Sequence, residues 1–138
     1  MLAVYVLIAA SLMGCASIDS FQSSDLIRVN AYVNKTMKYR SDGWGEWRAD
    51  CPNTGDCEDY ALCKARILAS SGVSRSAMAL VVLEHEEGPH AVLEVNGVVL
   101  DNYEALPVPA MRYYASRPIY YRCPLNGGRP KQCNKLEI

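Results

Sequence analysis

The sequence carries no surplus of charge of either sign: across 138 residues, 14 basic side chains stand against 15 acidic ones, a formal net charge of -1. A domain that binds nucleic acid gathers basic residues into a face that meets phosphates, so this balance argues against such a partner. Charged residues make up 21% and hydrophobic ones 50% of the chain, too apolar a mixture for a disordered polar segment. Histidine is scarce, with only His85 and His90 present. The paired CxxC spacing that marks most structural zinc sites is missing from the cysteines at positions 15, 51, 57, 63, 123 and 133. The length allows one domain and little more.

What is there begins with those six cysteines, a high number for so short a chain, which point to an oxidising compartment. Residues 1–14, MLAVYVLIAASLMG, hold no charged side chain and are nearly all apolar, yet they fall short of the roughly 18 residues that cross a bilayer. The length suits the apolar region of a secretory signal, although the Lys or Arg that usually precedes it is lacking. The run ends in Leu12-Met13-Gly14-Cys15, which resembles the lipobox of bacterial lipoproteins, where cleavage precedes a cysteine whose thiol is acylated. The expected organisation is a signal peptide at 1–14, a lipid on Cys15, a serine-rich tether at 15–24, a folded body at 25–123 and a tail at 124–138. The alternative is a buried N-terminal helix with an incidental cysteine. Ala16 is not the aspartate associated with inner-membrane retention, so a periplasm-facing lipoprotein of the outer membrane is expected.

Past the tether, Leu26, Val29, Val33 and Met37 recur at helical spacing behind Ser23 and Ser24, which predicts a helix over 24–38. Residues 39–55 hold both tryptophans and no periodicity, and read as an ordered loop. A second helix is predicted over 56–71, closed by Gly72. Strands follow at 78–84, 90–95, 97–102 and near 118–123, and Asn96-Gly97 is a hairpin signal. Helices followed by an antiparallel sheet make an α+β fold.

The chemistry gathers where the second helix starts. Asp56 stands at the N-cap position and Cys57 in the first turn, where the helix terminus favours an anion and hence a thiolate. A nucleophilic thiol also needs a base. A two-residue turn at Asn96-Gly97 pairs positions whose numbers sum to 193, so Val92 faces Asp101 and His90 is the diagonal neighbour of Asp101 on the same face. Cys57, His90 and Asp101 can therefore act as nucleophile, base and orienting carboxylate. His85, in the acidic turn 84–88, has no such partner at fixed register and is read as solvated.

These residues resemble the bacterial transglutaminase-like cysteine proteinases, whose best-known members are periplasmic adhesin-cleaving proteases of the LapG type. The likeness is carried by VNAYVNK (29–35), the loop from Trp44 to Trp47, GDCEDYALCK (55–64), HAVLEVNGVVLDN (90–102) and RPIY (117–120). It implies a papain-like, transglutaminase-like core with Cys57 as nucleophile, His90 as base and Asp101 as orienting carboxylate. It also implies calcium held by Asp56, Glu58 and Asp59. Calcium has an independent rationale, since three carboxylates around a thiol raise its pKa and a hard cation on oxygen ligands would neutralise them. The alternative is that acids in a first turn simply complement the helix dipole. The resemblance further offers an indole N–H of Trp47 or Trp44 to an oxyanion, against the alternative of tryptophans that cap the core. Cys51, Cys63, Cys123 and Cys133 allow three pairings; nearness in the chain favours Cys51 with Cys63 and Cys123 with Cys133.

The expected function is a lipid-anchored, calcium-dependent cysteine endopeptidase acting on a protein of the cell envelope. Other amide-bond chemistry, transglutamination or cell-wall peptide cleavage, is the alternative within enzymes, and a calcium-binding lipoprotein with a vestigial site is the alternative outside them.

Overall fold

A computed structural model of the chain describes residues 23–41 and 47–127. The signal, Cys15, the tether up to residue 22, Trp44 and Cys133 lie outside the described residues. Helix α1 spans Ser23–Thr36 and buries Leu26, Asn30 and Val33, the 3.6-residue stripe seen in the sequence. Strand β1 (Lys38–Tyr39) pairs in parallel with β2 (Thr54–Gly55) across the tryptophan loop, so that loop is pinned at both ends. Helix α2 spans Cys57–Ser70, and Gly72 follows it with a φ of 97°, the left-handed conformation that glycine accepts without strain.

The sheet is built from β3 (Met78–His85), β4 (Gly88–Val95), β5 (Val98–Leu100), β6 (Val108–Pro109) and β7 (Ile119–Pro124), in the order β6-β5-β4-β3-β7. All of its pairings are antiparallel. A short helix, α3 (Ala110–Tyr114), follows β6. The sheet is buried on both faces. Leu80, Val82, Ala91, Leu93 and Val95 pack with Ala61, Ala65 and Leu68 of α2, while the alternating set Ala79, Val81, Leu83, Val92 and Val99 packs around Tyr113 of α3. The architecture is the expected α+β arrangement.

Several boundaries differ from the sequence reading. The third strand stops at Leu100, leaving Asp101 and Asn102 beyond the ladder. The segment 104–110, which no predicted element covers, contains β6 and opens α3. At the other end Leu125 is buried against the main core, so the folded body runs past residue 123. Among the described residues, no helix is long and apolar enough to cross a membrane.

Candidate active site

The β4–β5 turn holds Asn96 and Gly97 at φ of 47° and 77°, the positive values of a two-residue type I′ hairpin. Its ladder sets Leu93 against Leu100 and Val95 against Val98. His90 and Asp101 thus come to one face, and His90 Nε2 lies 2.7 Å from Asp101 Oδ1. Asp101 also accepts from the Tyr113 hydroxyl at 2.6 Å and from the Tyr103 backbone N–H at 3.1 Å. His90 and Asp101 are both almost fully buried. Burial alone would raise the Asp101 pKa, but His90, the Tyr113 hydroxyl and the Tyr103 N–H favour the anion and hold it below the ordinary carboxylate range.

Cys57 is the one free cysteine among the described residues, and it is buried at the start of α2. In the ladder β4 has no β5 partner before Leu93, and in this stretch the Ala91 backbone hydrogen-bonds the Cys57 sulfur. Cys57 Sγ also donates to Glu58 Oε2 at 3.2 Å. The expected opposition between the helix terminus and the neighbouring acids is decided here against the anion. Burial pushes the Cys57 thiol up to about 12, with the nearby Glu58 and Asp56 carboxylates adding to the rise and the Ala91 hydrogen bond opposing it. Desolvation and neighbouring anions outweigh a dipole that carries only about half a charge.

The reading of His85 as solvated is corrected as well. Its ring centroid lies 5.1 Å from that of His90 and 5.3 Å from that of Tyr103, and Tyr103 stacks on His90 at 4.8 Å. At the end of β3, His85 stands diagonally beside His90 across the β3–β4 ladder, which a reading of the turn's charge alone does not reveal. Tyr39 and Tyr103 both sense the Cys57 charge and hydrogen-bond each other through their side chains. They form a half-exposed aromatic rim that motif reading did not single out.

The three acids beside Cys57 are all buried, but they diverge. Asp56 stands at the expected N-cap position, without a side-chain capping bond. Glu58 turns to the thiol and leaves Oε1 buried without a hydrogen-bond partner among the described residues. Asp59 is held by Arg48, whose backbone N–H and Nη2 reach its two oxygens at 2.8 Å and 2.9 Å. A Cβ on Gly55 would overlap the Asp59 side chain, which explains a glycine before the helix. Glu58 Oε1, buried and orphaned, is a donor of the kind a hard cation takes, while Asp59 already has the positive charge of Arg48 beside it. Among the described residues no three His, Cys, Asp or Glu side chains converge as a metal site.

Trp47 is partly buried against the main core, the capping position weighed against its oxyanion role. Cys51 is joined to Cys63 and ties the tryptophan loop to α2; Cys123 is disulfide-bonded too.

Against known proteins, solved structures of LapG from Legionella pneumophila share this fold. The calcium-bound form superposes with a TM-score of 0.64 at 22% identity over 72% of this chain and 63% of that one. The EGTA-treated form gives 0.64 at 21% identity over 72% and 62%, and a further LapG structure gives 0.67 at 22% over 81% and 73%. This chain therefore spans less than two thirds of the first two LapG chains. No curated protein sequence matches it. The profile of the family described as bacterial transglutaminase-like cysteine proteinase matches residues 11–113, most of the sequence, and the chain belongs to that family.

Proposed function

We propose that the chain is a cysteine endopeptidase in which Cys57 is the nucleophile, His90 the base and Asp101 the carboxylate that orients it. The observation that carries this reading is the buried 2.7 Å His90–Asp101 pair on the strand whose next residue, Ala91, hydrogen-bonds the thiol. His90 takes the Cys57 proton, and the sulfur attacks the scissile carbonyl carbon. The tetrahedral oxyanion forms at the N-terminus of α2, within reach of the Cys57 amide, with the Trp47 indole as the candidate second donor. The leaving amine departs with the proton from His90, and water, deprotonated by His90, then hydrolyses the thioester. Asp101, held by Tyr113 and the Tyr103 N–H, keeps the imidazole in one orientation throughout.

Asp56 and Glu58, with the charge of Asp59, would hold calcium, whose positive charge would favour the thiolate against these same carboxylates. The substrate is proposed to be a protein of the cell envelope, reached from a lipid anchor on Cys15. Comparison of envelope proteomes from cells carrying the parent chain, Cys57→Ala or His90→Ala tests the reading. Fragments that vanish in both variants support it; fragments that persist in both reject it.

A further inference from the structure

The segment that follows β5 is tied down from two helices. Asn34 Nδ2 of α1 donates to the Asp101 carbonyl at 2.9 Å and to that of Glu104 at 3.2 Å, and Asn30 Nδ2 donates to the Glu104 carbonyl at 2.9 Å. From α3 the Tyr113 hydroxyl reaches Asp101 Oδ2, and within the segment the Tyr103 N–H closes on Asp101 Oδ1 at 3.1 Å. The backbone at Tyr103 is thus held by contacts in which the tyrosine ring takes no part.

The ring has a contact of its own. It lies 4.8 Å from the His90 ring with the two planes 18° apart, an offset stack. His85, the last residue of β3, completes a triangle at 5.1 Å from His90 and 5.3 Å from Tyr103. His90 is 3% exposed and Tyr103 49%, so the tyrosine stands between one face of the imidazole and water. One residue therefore touches both members of the dyad, Asp101 through its N–H and His90 through its ring.

The base has a set tautomer. Asp101 is held as the anion and can only accept, so His90 Nε2 carries the hydrogen of the 2.7 Å bond. Nδ1 is the nitrogen left to take the thiol proton. One hydrogen bond fixes a point of the imidazole but not its plane, whereas a ring stacked on its face fixes the plane. We propose that Tyr103 is a positioning residue of the active site, its ring fixing the plane of His90 and keeping water from the His90–Asp101 hydrogen bond. The inference rests on the proposed triad and gives this half-exposed side chain a part in it.

The test deletes the ring and then restores it, on the full chain without reductant. Proton NMR of the parent should show the His90 Nε2–H as a downfield signal, assigned by its loss in His90→Ala. In Tyr103→Ala that hydrogen should exchange with water about tenfold faster or vanish from the spectrum, and in Tyr103→Phe it should persist. A signal unmoved in Tyr103→Ala, or lost equally in Tyr103→Phe, overturns the proposal. The second arm is the rate of iodoacetamide alkylation of Cys57 at one neutral pH, in a double-mutant cycle with His90→Ala. Tyr103→Ala should slow alkylation about tenfold where His90 is present and have no further effect where it is absent. Equal slowing in both backgrounds would mean packing around the thiol and would also overturn it. Should Tyr103→Ala not fold, or the signal escape detection in the parent, the cycle with Tyr103→Leu decides, since leucine offers no flat face. Failure of the triad itself looks different, as alkylation indifferent to His90→Ala while the N–H signal still responds to Tyr103→Ala.

Discussion

At the scale of single residues, burial raises the Cys57 thiol first, and its neighbour Glu58 adds to the rise by accepting the thiol hydrogen bond and placing a buried negative charge beside it. Glu58→Gln removes the charge, so the thiol pKa should fall and alkylation at pH 7 should quicken, about tenfold for each unit; slower alkylation would contradict this account. Asp101 gives a second expectation. Tyr113→Phe deletes one of its three hydrogen bonds and should destabilise the protein by about 1.5–3 kcal/mol in denaturant melts at neutral pH, the range for a buried bond to a charged group. Because the folded pKa of Asp101 lies below its ordinary value, the stability its anion contributes is present above about pH 4 and is lost as pH falls. The penalty of Tyr113→Phe should shrink with it. That His90 meets Asp101 was legible, because a two-residue turn fixes strand parity. Tyr113 was not, since nothing in a proline-rich stretch signals a short helix aimed at a carboxylate twelve residues back.

At the scale of elements, the tryptophan loop is tied to α2 by the Cys51–Cys63 disulfide, by the β1–β2 pair and by Arg48, which bonds both Asp59 and the Thr54 carbonyl. None of the contacts made by Arg48 or the two-residue strands could be read from the sequence, because such short pairs have no periodicity and a lone arginine in a loop has no register. The long helices and central strands were legible, since their apolar spacing follows the faces they bury. Arg48→Ala leaves the fully buried Asp59 without its guanidinium. With Arg48 partly exposed, this should destabilise the fold by about 1–3 kcal/mol. The same change frees two carboxylate oxygens beside Glu58, so calcium should restore stability to Arg48→Ala more than to the parent. Thermal melts with calcium and with chelator check this, and an equal calcium response in both proteins would show that Arg48 and the ion do not share the acidic cluster. Gly55→Ala acts on the same junction from the other side, its Cβ meeting the Asp59 side chain, and should weaken both proteins alike.

At the scale of the whole molecule, a sheet buried on both faces gives the chain its core, and that dry interior is also what holds Lys64 near 7. An unfolded lysine keeps its proton up to its ordinary value of 10.5, whereas Lys64 in the fold releases it at about 7. Between those values the unfolded state binds more protons, so stability must rise with pH. Cys57 acts in the opposite sense, because its folded pKa is raised from 9.0 to about 12: above pH 9 the unfolded chain loses a proton that the fold retains, and stability falls. The raised tyrosines, with ordinary values of 10.0, reinforce that fall higher still. Maximum stability is therefore expected near pH 9, with a gain of up to about 2 kcal/mol between pH 7 and 9. Denaturant midpoints at pH 7, 8 and 9 measure it. Lys64→Met, which has no proton to release, should lie flat across that interval while keeping the decline above pH 9. A parent protein equally flat between 7 and 9 would mean that Lys64 keeps its charge in the fold.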